Sequence, residues 1–171
     1  MPVDVASLKI VNYPHPTLRE TAAPIQAIDD EVRAVAQRMI ELMHQAPGVG
    51  LAAPQVGLAW RMFVANPTGQ PGDDHVYINP QLALGKGGGA AREEGCLSLP
   101  NITVEVIRPV DATITATNLE GETFEESADD LLARIWQHEY DHLDGVLIID
   151  KMSPIDRMAN KRAIKELEEA K

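Results

Sequence analysis

Between residues 30 and 44 apolar side chains recur at Val32, Val35, Met39, Leu42 and Met43, the spacing of a helix with one buried face. The pattern then shortens. Residues 62–65, 76–78 and 104–106 are brief apolar, β-branched runs that read as strands. Residues 112–117 and 122–125 alternate in strand fashion around Leu119-Glu120-Gly121, which reads as a hairpin. Helical spacing then returns: Ser127 is a candidate cap, Asp129 and Asp130 suit the first turn, and Leu131, Ile135, His138 and His142 share one stripe before Asp144-Gly145 supplies a stop. Ser153 as N-cap and Pro154 at the first helical position open a last helix with Ile155, Met158, Ile164 and Leu167 as its stripe. This order predicts an α+β domain over residues 1–171, with antiparallel strands wrapped around a central helix.

Composition narrows the classes. A chain of 171 residues with 44% hydrophobic content suffices for one domain that buries roughly 70% of its unfolded surface. The chain shows no internal repeat, interdomain linker or 18-residue apolar run, and Met1-Pro2-Val3-Asp4 lacks the basic and apolar regions of a signal peptide. The expectation is a soluble cytoplasmic protein without a membrane partner. A single cysteine, Cys96, excludes a disulfide within the chain and suits a reducing compartment. The net charge of −11 argues against direct nucleic-acid binding, which requires clustered Lys and Arg. Gly85-Lys86-Gly87-Gly88-Gly89 reads as a plain surface connection.

Candidate chemistry concentrates in three places. In His138-Glu139-Tyr140-Asp141-His142, a helix sets the two imidazoles one turn apart, roughly 6 Å along the axis, where both can grip one metal ion. Glu139 projects about 100° away around the helix, too far round to be a third ligand but within reach of a metal-held water, and reads as the proton carrier. A catalytic site usually takes three protein ligands and leaves a position for water. Cys96, within Glu94-Gly95-Cys96-Leu97-Ser98, completes a Cys-His-His set with His138 and His142. His15, His44 and His75 read as ordinary surface residues. The third place is Gly48-Val49-Gly50-Leu51-Ala52-Ala53-Pro54-Gln55, whose small side chains suit a backbone that approaches something closely. It lacks the lysine and hydroxyl of a phosphate-binding loop, and Gln55 remains as the polar recognition group.

In their order and spacing these motifs resemble those of peptide deformylases, and the likeness extends to Tyr13-Pro14-His15-Pro16-Thr17-Leu18-Arg19, to Val106-Ile107-Arg108 and to the helix after Ser153-Pro154. The resemblance implies a metal-dependent amidase that removes the formyl group from the N-terminal formylmethionine of newly made polypeptides, built on the peptide-deformylase-like fold with a central metal-binding helix. It implies Cys96, His138 and His142 as ligands and Glu139 as general acid and base. The Gln55 side chain and the Leu97 backbone N–H become the oxyanion donors, and Val49, Gly50, Leu97, Leu131, Ile135 and His138 the wall of the methionine pocket. Glu94 and Arg108 look like an ion pair that braces the cysteine loop, with Gln137 and Asp141 as further braces behind the ligands. The cellular ion expected is Fe2+, with Zn2+, Ni2+ or Co2+ as alternatives. Formylmethionyl nascent chains are the implied partner. Ribosome contact is expected to be transient at most, because Lys161, Arg162 and Lys165 are followed by Glu166, Glu168 and Glu169. Two other readings use the same residues. A peptidase that cuts internal bonds would ordinarily take a downstream His or Glu as third ligand, whereas Cys96 lies well upstream; a non-catalytic metal-binding relative would be expected to lack Glu139 or Gln55, and both are present.

Overall fold

The computed structural model describes residues 2–170. Helix α1 spans Asp30–Gln45 and is followed by strands β1 (Gly50–Ala52), β2 (Met62–Ala65), β3 (His75–Leu84), β4 (Gly89–Cys96), β5 (Leu99–Pro109), β6 (Asp111–Thr117) and β7 (Thr123–Asp129). Helices α2 (Asp130–Leu143) and α3 (Pro154–Glu169) complete the order. Five strands form an antiparallel sheet in the order β1-β2-β3-β6-β7, and β4 and β5 pair as a separate antiparallel ribbon.

Strand periodicity explains how the sheet separates two cores. In β2, Met62 and Val64 join Val35, Met39 and Met43 of α1, whereas Phe63 and Ala65 face the other way and join Tyr77, Ile114 and Trp136. A strand buried on both faces reads as an unbroken apolar run, as β2 does. Helix α2 packs against both the sheet and the ribbon, so it sits centrally. A third cluster joins Leu99, Ile102, Val104 and Val106 of β5 to Leu18 and to Leu147, Ile148 and Ile149, with α3 covering it through Ile164 and Leu167. No helix among the described residues is long and apolar enough to cross a membrane.

The structure corrects several sequence expectations. Ser127 does not cap α2: it lies in β7 opposite Thr113, and the two hydroxyls are 2.8 Å apart. The chain passes from β7 directly into α2 at Asp129, with no side-chain cap. Leu131, on the same stripe as Ile135, is half exposed. In α3, Ile155 and Met158 are 81% and 80% exposed. The inward face carries Asn160, Ala163, Ile164 and Leu167 instead. Asn160 is the reason: its buried amide donates to the Thr103 carbonyl at 3.0 Å, so a polar residue occupies the phase where an apolar one was sought. The run at 76–78 extends to Leu84 past Asn79 and Pro80, where the pairing with β6 slips. The glycine-rich segment connects β3 to β4, and its last glycine opens β4. His15 is more than a bystander, since its Nδ1 accepts from the Thr17 N–H at 3.2 Å and caps the turn at Pro16–Arg19.

Candidate metal centre and active site

The small ribbon and the central helix meet at Cys96, His138 and His142. The β4–β5 register slips between Gly95 and Cys96, and such an irregularity re-aims a side chain. Here the thiol comes to 3.5 Å from His142 Nε2. One ligating atom from each of Cys96, His138 and His142 lies within 4.8 Å of the others. A thiolate and two imidazoles so arranged fit a divalent ion with a position left for water.

What stands behind the donors fixes their orientation. Glu94 Oε1 lies 3.0 Å from His138 Nδ1. A carboxylate only accepts, so Nδ1 carries a proton and Nε2 is the ring nitrogen turned toward the other donors. Glu94 is itself held by Arg108, whose Nε and Nη2 donate to Oε2 and Oε1 at 2.7 and 3.0 Å, and by Arg134 on Oε2. Burial alone would raise the Glu94 carboxyl, but hydrogen bonds from His138 and Arg108 hold it down at about 2. Arg108 also donates to Asp141 at 2.9 Å. Gln137 ties α2 to the end of β5 through the Pro109 carbonyl at 2.9 Å. Arg134 escaped the sequence reading, although its position four residues before His138 places it one turn earlier on the same helix face. It also donates to the Val106 and Ala90 carbonyls at 3.1 and 2.8 Å and so staples α2 across both strands of the ribbon.

Glu139 is buried, with Oε2 at 3.9 Å from His138 Nε2 and Oε1 without a hydrogen-bond partner among the described residues. Burial pushes its carboxyl up to about 7, against the pull of His138 and Arg108. Burial likewise drives His142 well below the usual imidazole range, with His138 and Arg108 adding to the effect. His138 lies well above that range: burial opposes this, and Glu139, Cys96 and Glu94 outweigh it. Gly50 explains how Glu139 fits, because a Cβ there would sit 2.7 Å from Oε2 and 3.0 Å from Cδ and Cγ.

These groups open onto a cavity of about 480 Å³. All six residues expected at the methionine pocket (Val49, Gly50, Leu97, Leu131, Ile135 and His138) line it, together with Gln55, Cys96, Glu139 and Arg134. Val49 and Leu131, 44% and 50% exposed, stand at its mouth. Gln55 is fully enclosed: Oε1 accepts from the Ala52 N–H at 2.9 Å, and Nε2 faces Ser98 Oγ at 3.2 Å and Cys96 Sγ at 3.5 Å. The remaining histidines stay apart from this centre, His44 pairing with Asp74 at 2.7 Å and His75 opening β3 on the surface.

Comparison with known proteins agrees with this architecture. A family model described as polypeptide deformylase matches residues 7–158. The peptide deformylase of Acidobacterium capsulatum is 42% identical over 163 residues, covering 94% of this chain and 95% of that protein. Peptide deformylase 1B, chloroplastic/mitochondrial, of Arabidopsis thaliana is 43% identical over 148 residues, covering 85% of this chain and 54% of the relative. Among solved structures, a Plasmodium falciparum peptide deformylase superposes with a TM-score of 0.91 at 33% identity, covering 95% and 96% of the two chains. The Thermotoga maritima peptide deformylase gives 0.81 at 41% identity, covering 86% and 98%. On this sequence and structural agreement along most of its length, the chain belongs to the polypeptide deformylase family.

Proposed function

We propose that Cys96, His138 and His142 together hold one divalent metal ion and that Glu139 carries the proton as the chain hydrolyses the formyl group from formylmethionyl polypeptides. Metal-dependent removal of that group is the reaction of the family to which the chain belongs. The observation that carries the residue roles is the convergence of three ligating atoms within 4.8 Å beside a buried carboxylate, at the wall of an apolar-lined cavity.

A divalent ion in this donor set supplies Lewis acidity, which acidifies water to near neutrality and polarises a carbonyl oxygen. Glu139, raised to about 7 by burial, is matched to accepting a proton from water and returning it to the leaving amine near neutral pH. Its Oε1 is free for that exchange among the described residues. As the formyl carbon becomes tetrahedral, Gln55 Nε2 and the Leu97 N–H donate to the developing oxyanion. The apolar wall from Val49 to Ile135 receives the methionine side chain. Glu94 keeps His138 in the tautomer that presents Nε2. Ferrous iron is the ion proposed for the cell, and imidazole and thiolate donors suit zinc, nickel and cobalt as well. The cytoplasm is the proposed compartment. Ribosome contact is proposed as transient, since the cationic positions of α3 are closely followed by Glu166, Glu168 and Glu169.

The direct test supplies anaerobically purified, metal-loaded protein with a formyl-Met-Ala peptide and with the same peptide lacking the formyl group. Formate release from the first, with both peptide backbones intact, is the expected result. Cleavage of an internal peptide bond would instead establish the peptidase reading.

A further inference from the structure

Ser98 follows the cysteine motif but has no part in the chemistry above. It is fully buried, and its hydroxyl stands beside Gln55. The Gln55 carboxamide has one fixed end, because Oε1 accepts from the Ala52 N–H at 2.9 Å. This settles which end is nitrogen. The Nε2 group then has two protons to place. One meets Ser98 Oγ at 3.2 Å, and the other is turned toward Cys96 Sγ at 3.5 Å, the side of the metal donors. Sulfur is a weak acceptor, so the second proton is the one available to a stronger acceptor arriving in the cavity.

The main chain reinforces the arrangement. The Val11 N–H donates to the Gln55 carbonyl at 2.8 Å, and the Tyr13 N–H donates to the Ser98 carbonyl at 2.9 Å. One short extended segment thus holds the turn bearing Gln55 and the loop bearing Ser98 at a set separation. We infer that Ser98 is a positioning residue for the deformylation reaction: its hydroxyl takes one Nε2 proton of Gln55 so that the other points at the developing oxyanion. The inference rests on the proposed role of Gln55 as an oxyanion donor.

The test is a double-mutant cycle on the metal-loaded enzyme with Ser98→Ala, Gln55→Ala and the pair, read as kcat and KM for a formyl-Met-Ala peptide. Gln55→Ala is expected to lower kcat on the order of 100-fold. Ser98→Ala is expected to lower kcat by about tenfold at nearly unchanged KM, as befits one lost orienting hydrogen bond. In the Gln55→Ala background the same change should have no effect on kcat. A loss of equal size in both backgrounds would overturn the inference, because Ser98 would then act without Gln55. An undiminished kcat in Gln55→Ala would overturn the donor role itself, a separate outcome. Folding of the variants does not limit the test, since the parent protein with 15N-glutamine carries its own readout. A Gln55 side-chain amide whose protons are resolved and protected from solvent exchange supports the anchoring, and one whose protons average or exchange freely contradicts it.

Discussion

Helices α2 and α3 are similar in length, at 14 and 16 residues, yet they use their inward faces in opposite ways. Helix α2 buries Gln137, Glu139 and His142 beside Ile135 and Trp136. Each of those polar groups is costly to desolvate: Gln137 has its carbonyl partners and the Glu94–Arg108–Arg134 cluster orients the adjacent His138, whereas Glu139 Oε1 and His142 Nδ1 are buried without a hydrogen-bond partner among the described residues. Helix α3 needs only to cover β5, and it does so with Ile164, Leu167 and one satisfied amide, leaving Ile155 and Met158 to solvent. Apolar periodicity therefore finds a covering helix only approximately and a helix that carries candidate metal ligands only in part. Where chemistry decides burial, charge and ligand spacing carry the information that hydropathy lacks.

The largest effect that would break the contrast comes from the polar support of α2. Arg108→Ala removes two donors from Glu94 and one from Asp141, and breaking a buried ion pair costs about 3–5 kcal/mol. Denaturant unfolding should show that loss. Next, Gly50→Ala forces the Glu139 carboxylate to move, and, with Glu139 as the proposed proton carrier, a displacement of about 1 Å can cost on the order of 100-fold. The kcat for formate release should fall accordingly while the bound metal stays near one equivalent. On α3 the paired experiment is milder: Ile164→Ala should cost about 1 kcal/mol, whereas the combined change of Ile155 and Met158 to Ala should stay within about 0.5 kcal/mol. A result of equal size for both would return the face to the phase the apolar pattern suggested.

The smallest effect lies between the two helices, where Arg19 donates to both carboxylate oxygens of Asp150. Burial would raise the Asp150 carboxyl, but the bonds from Arg19 and from the Leu147 N–H lower it below its ordinary 3.8. A carboxyl depressed on folding contributes stability that is present above its unfolded value and is lost as pH falls through the depressed one. Asp150→Asn should therefore lower stability modestly at neutral pH and flatten the acid limb of the stability–pH curve, with its difference from the parent shrinking as pH falls below about 4.

Much of this arrangement was legible from local chemistry. Two histidines four apart and one cysteine beside a glycine form the ligand cluster, and His138, Cys96 and the glutamine that ends a small-residue run line the cavity. Residues whose partners are distant in the chain were harder to read. Arg134 finds Glu94 forty positions away and Ser98 finds Gln55 at forty-three, and no short-range pattern announces either contact. Strand β4 was missed because Gly89, Gly95 and the charged run Arg92-Glu93-Glu94 suppress the apolar alternation that marks a strand; pairing with the alternating β5 supplies the order instead. Ser127 shows the limit of capping rules: a plausible cap went to a cross-strand hydroxyl pair, and the helix began without one.

The measurement that tests the central claim most directly is formate release by the parent protein and by Glu139→Ala, purified anaerobically, with metal content determined on both. The account predicts one metal equivalent in each and a loss of on the order of 1,000-fold or more in the variant's kcat. A metal-loaded Glu139→Ala that releases formate at the parental rate would contradict it.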